Sequence, residues 1–475
     1  MTLSHVMLIG YCVNIVLALA VIFFERRDPV VSMTWVFCLV TLPVLGLIIF
    51  MIFGLGLKRH TRKQYHQKQL QGNNIIKILH AARKSMDPPE GACDLERYLT
   101  NVAGSYCTEN NSVEIITDAE KKYEMLLRDI ENATDSINIL YFIIRSDAIG
   151  RKLMDALTKK ANEGVEVRFM YDGMGSFLTR RKLFSPLKKS AAGQVAEFFP
   201  VRLLPVSKIN HRNHRKIAVI DGKIAYLGGM NIGLEYAGKG KKGLPWRDTH
   251  MRITGEAVAD IQKFFALDWE FSTHERLTNR LSKFFPMETA KACGNTKMQI
   301  VGSGPDSPEE EIKCGMIKMC NDARSYIYLQ TPYFVPDQAF LTSLVMAAES
   351  GVDVRVMLPG IPDKSYVYYT SMSYVGELLS AGIKVYLYPG FIHAKTLAVD
   401  DSIATIGTTN IDIRSFQLHF ELNAFIYDKK KVSECRKIFL ADQEKSRQMT
   451  LEKYEKRGLG NIMKEGIFRL FSPIM

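Results

Sequence analysis

Charge is missing from most of the first 57 residues. Met1 to Phe24 holds no Asp, Glu, Lys or Arg, nor does Pro29 to Leu57, and only Glu25, Arg26, Arg27 and Asp28 lie between. A membrane span takes about 20 apolar residues, so both runs are long enough to cross. A two-helix transmembrane hairpin is therefore expected over residues 1–57, with spans near 6–24 and 30–55; a buried soluble hairpin is the alternative. No basic segment precedes the first run and a second run follows at once, which argues against a cleaved signal peptide. Pro43 is expected to bend the second helix, and Gly46, Gly54 and Gly56 to let the helices approach closely. The loop has Arg26 and Arg27 offset by two acids, whereas Lys58, Arg59, Arg62 and Lys63 follow the second span. Positive residues favour the cytoplasmic side, so both termini and the whole soluble part are expected there.

Other absences narrow the chemistry. The eight cysteines carry no C-x-x-C or C-x-x-H spacing. Cys12 and Cys38 fall in the expected spans, and Cys314 and Cys320 are the closest pair. This excludes a zinc module and reads as reduced thiols of a cytosolic domain. The lysine-rich "GKGKKG" from Gly238 to Gly243 has the wrong spacing for a P-loop, and no Ser or Thr follows its lysine. No metal-ligand set stands elsewhere, so metal-independent, cofactor-free chemistry is expected.

What is present is positive charge and a repeat. Net charge is +12, with 47% hydrophobic and 24% charged residues, so the partner is anionic: nucleic acid, a membrane surface or a phosphate substrate. Residues 58–112 are polar and mixed, and "MDPPEGACD" from Met86 to Asp94 reads as turn-rich linker. Beyond it, "EGVEVRFMYDG" (Glu163 to Gly173) matches "SGVDVRVMLPG" (Ser350 to Gly360). Each follows a helix-like segment, "RKLMDALTKKAN" or "LTSLVMAAE", which follows a strand-like run, "SINILYFII" or "SYIYLQTPYFV". Strand, helix, strand is a βαβ unit and implies parallel pairing. Two α/β lobes, 113–290 and 291–475, are expected about a pseudo-two-fold axis.

The repeat carries chemistry. His214, Lys216 and Asp221 form H-x-K-x4-D, followed by Gly228, Gly229 and Asn231. His393, Lys395 and Asp400 repeat it, followed by Gly407, Thr408 and Asn410. Residues i and i+2 of a strand share a face, so His and Lys project together, while the glycine admits close backbone and the asparagine adds an amide donor. Such a set suits a phosphoryl group: Lys and amide offset oxyanion charge, one imidazole attacks phosphorus, and its counterpart protonates the departing alkoxide. Each histidine needs an orienting carboxylate on its other ring nitrogen. Asp248 in "PWRDTH" and Glu421 in "HFELNA" are the candidates, each paired with the histidine of its own lobe, Asp248 with His214 and Glu421 with His393. Asp221 and Asp400 complete the motif. Each ends a strand away from its histidine, so each is expected to fix turns and the lobe interface rather than touch phosphorus.

With these motifs the chain resembles the phospholipase D superfamily and, within it, the bacterial cardiolipin synthases. The closer likeness rests on "RRDPVVSMTWVFCLVTLPVLGLIIFMIFG", "PWRDTHMRITGEAV" with "FALDWEF", "QTPYFVPD" and "GTTNIDIRSFQLHFELNAFIYD". The resemblance implies two phospholipase D-like lobes behind a membrane hairpin in a bacterial cell membrane. It implies a phosphatidyl group passed from one phosphatidylglycerol to another through a phosphohistidine, releasing glycerol, with His214 as nucleophile and His393 as general acid and base. Phosphatidylglycerol and other anionic phospholipids are the implied partners. Where serine is common in the family, Gly229 stands in the first motif, removing a hydroxyl contact, and Thr408 in the second, which with Asn231 and Asn410 is expected at the phosphate. "DGKIAY" (Asp221 to Tyr226) has tyrosine where a CDP-alcohol transferase motif needs arginine, and the later aspartates are missing. A phospholipase D-type hydrolase uses the same intermediate and is the alternative; a two-span anchor argues against a nuclease, and intact motifs argue against a non-catalytic scaffold. In "GNIMKEGIFRLFSPIM", Met463, Ile467, Leu470 and Phe471 share a helical face that suits either an anionic lipid surface or packing on the second lobe.

Overall fold

The computed structural model describes residues 3–24, 29–50, 54, 63, 65–67, 93–201, 210–239, 243–277, 280–285, 293–307 and 309–474. The expected hairpin loop Glu25–Asp28, the basic residues Lys58, Arg59 and Arg62, most of the linker and half of "GKGKKG" lie outside them.

Strand follows helix twice in matching order. In each half a first strand leads to a helix and a second, parallel strand. Ser136–Tyr141, Ala148–Asn162 and Glu166–Asp172 do this in one half, and Tyr326–Gln330, Gln338–Glu349 and Asp353–Pro359 in the other. The likeness reaches the helix caps. Asp147 accepts from the Gly150 amide at 3.0 Å and Asp337 from the Phe340 amide at 2.9 Å, each satisfying an orphan donor of the first turn. Leu153, Met154, Leu157 and Ala161 then fall on one helical face and are buried.

All these strands join one 16-stranded mixed sheet. From its first edge it runs Gly193–Phe198, Glu166–Asp172, Ser136–Tyr141, Lys216–Ile220, Ile224–Gly228, His250–Gly255 and Thr108–Ile116. It continues with Thr296–Ser303, His419–Ile426, Ile403–Gly407, Thr396–Val399, Tyr326–Gln330, Asp353–Pro359, Lys384–Tyr388 and Arg447–Met449, and the remaining strand, Arg212–Asn213, pairs off this path with His419–Ile426. Read outward from the centre, the two halves have the same order of related strands. The seam is the antiparallel pairing of Thr108–Ile116 with Thr296–Ser303. The expected boundary at 112/113 therefore falls inside a strand. The helix Asp94–Ala103, also within the expected linker, buries Leu95 and Leu99 in the core of the second half. The buried helix Ala257–Thr273 packs on strands of both halves, and its Phe264, Phe265 and Trp269 belong to a core that crosses the seam.

The N-terminal runs form helices Leu3–Phe24, Pro29–Thr41 and Pro43–Ile49. The break before Pro43 matches the expected bend. The Asn14 side chain donates to the Leu39 carbonyl at 2.7 Å, and Trp35 meets Phe50 edge-on. A Cβ on Gly46 would meet the Cys38 carbonyl oxygen at 2.3 Å. That glycine therefore serves the bend of its own segment, not the approach of the other helix. Side chains at both ends of the first helix lie outside the described residues; among the described residues no helix is long and apolar enough to cross a membrane. Near the C-terminus, helix Leu459–Arg469 packs on Ser365–Ser380, with Arg469 donating to the Ser373 carbonyl at 2.9 Å. Met463, Ile467 and Leu470 stay exposed, while Phe471 packs against the N-terminal helices.

Candidate active site

Two very short parallel ladders decide the geometry. Arg212–Asn213 pairs with the start of His419–Ile426, in the register His419 to Arg212 and Phe420 to Asn213. The next pair along is His214 and Glu421. The His214 amide continues the ladder by donating to the Phe420 carbonyl at 2.9 Å. In the related place Phe391–Ile392 pairs with Trp246–Arg247, and the His393 amide donates to the Arg247 carbonyl at 2.6 Å. The next pair there is His393 and Asp248.

The side chains follow this register. His214 Nδ1 lies 2.9 and 3.0 Å from the two Glu421 oxygens and 3.1 Å from the Thr408 carbonyl oxygen. His393 Nδ1 lies 2.6 Å from Asp248 Oδ2. The expected pairing of each carboxylate with the histidine of its own lobe is thus wrong. Each histidine-bearing segment crosses the seam and lines up beside the carboxylate of the other half. With Nδ1 occupied, Nε2 is the nitrogen left for chemistry on both rings. Both histidines are buried, each 7% exposed.

Lys216 and Lys395 repeat each other atom for atom. Each Nζ donates to the carbonyl of the histidine two residues earlier, at 2.6 Å. Burial pulls Lys216 down to about 7, against the opposing pull of Glu421, and Lys395 down to about 8, against Asp248 and Glu421. Burial also depresses His393 to about 4 and holds His214 well below the usual imidazole range. After burial, the field on His214 comes from Lys216, His419, Lys395 and His393. The paired motifs therefore sit in one electrostatic environment. Burial raises Glu421 to about 8, against the opposing pull of Lys216.

Other motif residues lie elsewhere or act differently. The Asp221 carboxylate accepts from the Thr134 amide and hydroxyl and from the Asp135 and Ser136 amides, at 2.8 to 3.1 Å. Asp400 does the same for the Arg324, Ser325 and Tyr326 amides, at 2.6 to 2.8 Å. Both have positive φ, 52° and 55°, so they fix turns within their own halves. Neither reaches the histidines or the seam, which corrects their place among the catalytic candidates. The Thr408 hydroxyl donates to Glu421 instead of facing a phosphate. Asn231 Oδ1 accepts from the Ile143 amide at 3.0 Å and its side chain bonds Tyr236, while the Asn410 side chain bonds Asp412. A Cβ on Gly229 would meet Asp248 Oδ1 at 2.1 Å, so the missing side chain makes room for the carboxylate that holds His393.

The description "Cardiolipin synthase, PLD-like domain" is that of the family model that matches residues 126–238 and 316–443, once in each half of the sheet. The cardiolipin synthase of Oceanobacillus iheyensis is 44% identical over 474 residues, covering 98% of both chains. The major cardiolipin synthase of Bacillus subtilis is 44% identical, covering 100% of both. The chain belongs to the cardiolipin synthase family. It is accordingly a phosphatidyltransferase with a phospholipase D-like α/β fold. The solved phosphatidylserine synthase of Haemophilus influenzae has the same fold, with a TM-score of 0.60 at 14% identity over 80% of this chain and 98% of that one.

In this member of the cardiolipin synthases, the basic run before the first motif is held by two buried aspartates. Asp268 accepts from Arg215 at 2.8 and 2.9 Å and from Asn213 at 2.8 Å. Asp172 accepts from the Asn213 amide at 3.0 Å and faces Arg212 at 3.6 Å. In the other half Arg247 pairs with Asp442 at 2.8 Å. Sequence reasoning missed these three acids, although Asp172 stands in "MYDG", where the second copy has "MLPG", and Asp268 in "FALDWEF". Phe142 lies edge-on to His214 at 4.9 Å, and Trp246 lies 5.2 Å from His393. Among the described residues, His214, His419 and Glu421 bring ligand-capable atoms within 4.8 Å of one another. Two of these groups already bond each other, and Lys216 and Arg414 act on the histidines there, a field that suits a proton and an anion better than a dication.

Proposed function

We propose that this chain makes cardiolipin by moving a phosphatidyl group from one phosphatidylglycerol to the glycerol hydroxyl of another. The reading rests on two buried histidines, one from each half, each held at Nδ1 by a carboxylate of the other half. His214 Nε2 attacks phosphorus, the bond to the glycerol oxygen breaks, and protonated His393 gives its proton to that oxygen. Glycerol leaves and the phosphatidyl group stays on His214. A hydroxyl of the second lipid then gives its proton to His393 and attacks phosphorus, which frees His214. Lys216 and Lys395 offset charge on the phosphoryl oxygens, and Glu421 and Asp248 fix the tautomers. One phosphodiester replaces another, so the step is close to energy-neutral and uses no nucleotide; no step calls on a metal. Incubated with phosphatidylglycerol, the protein is expected to yield cardiolipin and glycerol in equal amounts by mass spectrometry. Phosphatidic acid as the sole lipid product would instead make it a hydrolase.

The same reading puts the protein in a bacterial cell membrane, with spans near 6–24 and 30–55, both termini and the lobes 113–290 and 291–475 cytoplasmic. Two charge-free runs support it, as do the exposed Leu8, Val16, Val30 and Met33 of the N-terminal helices. Protease added outside intact cells is expected to leave the chain beyond Lys58 uncut; cleavage there would reverse the orientation.

A further inference from the structure

The two histidines are buried, each 7% exposed, yet on the function proposed above the phosphorus they serve belongs to a bilayer lipid. The edge of the sheet that carries His214 also carries the turn after strand Glu166–Asp172. Tyr141 pairs with Lys216 on one side and with Tyr171 on the other, so this turn opens beside the site. It holds large apolar side chains in solvent: Met174 is 38%, Phe177 62% and Leu178 79% exposed.

That exposure is built in. Asp172 Oδ1 accepts from the Met174 and Gly175 amides at 2.9 Å each, and the Asp172 carbonyl accepts from the Ser176 amide at 3.0 Å. The Ser176 hydroxyl donates to the Phe142 carbonyl at 3.1 Å, and the Thr179 hydroxyl donates to the Ile144 carbonyl. A Cβ on Gly175 would meet the Phe142 carbonyl oxygen at 2.3 Å, and the Phe142 ring lies against His214. The tip is thus rigidly tied to the wall of the site. Arg180, Arg181 and Lys182 follow it, all exposed, with Arg181 reaching Glu197 at 3.2 Å.

We propose that the turn 174–182 docks the mouth of the site on an anionic leaflet, with Phe177 and Leu178 entering the acyl boundary and the three cations meeting the headgroups. Apolar tips flanked by Lys and Arg are what such a surface takes up. The corresponding turn of the other half, after Asp353–Pro359, exposes Ile361 at 46%, and the first turn of the next helix, Ser365–Ser380, exposes Tyr366 at 44%, so the mouth has an apolar tip on each side. The C-terminal turn Ser472–Ile474 touches both helix Pro29–Thr41 and helix Ile413–Gln417, which follows the second motif.

The test uses the full chain with Phe177→Asp and Leu178→Asp together, on phosphatidylglycerol vesicles and on monomeric short-chain phosphatidylglycerol. The variant should lose about ten-fold or more on vesicles and stay within about two-fold on the monomer. Unchanged vesicle rates, or equal loss on both substrates, overturn the docking. Hydrogen exchange reads docking separately from catalysis: amides 174–182 should be slower in phosphatidylglycerol vesicles than in phosphatidylcholine vesicles. Slowing that follows protein concentration instead of lipid charge would mean that a second copy covers the tip, and would also overturn it. Wild-type protein that makes no cardiolipin from the monomer refutes the proposed function, while the exchange result still decides the docking.

Discussion

With a phosphatidyl donor that carries p-nitrophenol, His393→Asn is expected to release one equivalent of nitrophenol and keep the lipid on the protein, whereas His214→Asn releases none. p-Nitrophenol leaves without a proton, so the first step no longer needs an acid and reports the nucleophile alone. Overall cardiolipin synthesis should fall about 10³-fold or more in both variants, because residues acting as one unit are not additive. The reason lies in the protonation states. Burial keeps both imidazoles low, His393 at about 4, so the empty site favours neutral rings. A neutral His214, its Nδ1 engaged by Glu421, has a lone pair at Nε2. A bound phosphodiester anion favours a proton on the ring opposite, which is what the departing glycerol requires. Intact-protein mass spectrometry checks the result. An adduct in His214→Asn and none in His393→Asn would exchange the two roles.

Much of this was readable because it occurs twice. The strands Lys216–Ile220 and Thr396–Val399 follow closely on their motif histidines, and Glu163–Gly173 aligns with Ser350–Gly360 without a gap, although the helix before it is longer in the first unit. The central strand was not readable. Thr108–Ile116 opens with "TENNS", which reads as linker because its polar groups tie the seam together. Asn111 donates to the Thr296 carbonyl at 3.0 Å and Thr108 to the Met298 carbonyl at 3.1 Å. Buried hydrogen bonding of this kind satisfies the backbone and leaves no alternation to detect. Asp172 and Asp268 were hidden for a similar cause: a lone acid carries no period, and only the fold sets it against Arg212 and Arg215. By its place in the motif Thr408 reads as a phosphate ligand. Its actual partner, Glu421, comes from a strand that pairs beside it.

The crossed carboxylates are the part that spacing along the chain could not give, and they carry the last large prediction. Asp248 and Glu421 each follow a motif asparagine at a comparable interval, which made local pairing natural. The ladders that reverse it are two residues long, too short to have any pattern. If the ladders set the chemistry, Glu421→Gln should behave like a lesion of His214: no nitrophenol release, no adduct, and a loss of about 10³–10⁴-fold, the scale of a carboxylate-to-amide change beside a catalytic histidine. A glutamine amide donates to Nδ1, which moves the ring proton to Nε2 and removes the attacking lone pair. Asp248→Asn should behave like a lesion of His393. Nitrophenol is released, the adduct accumulates, and transfer to the second lipid falls by a similar factor, because His393 no longer takes the incoming hydroxyl's proton. Pairing within each half predicts the opposite, with Asp248→Asn blocking the adduct and Glu421→Gln trapping it. A single-turnover assay on the two variants separates the schemes. It also tests why the lobes are joined by a continuous sheet: neither half holds a complete histidine–carboxylate pair, so each depends on the register of the seam for its tautomer.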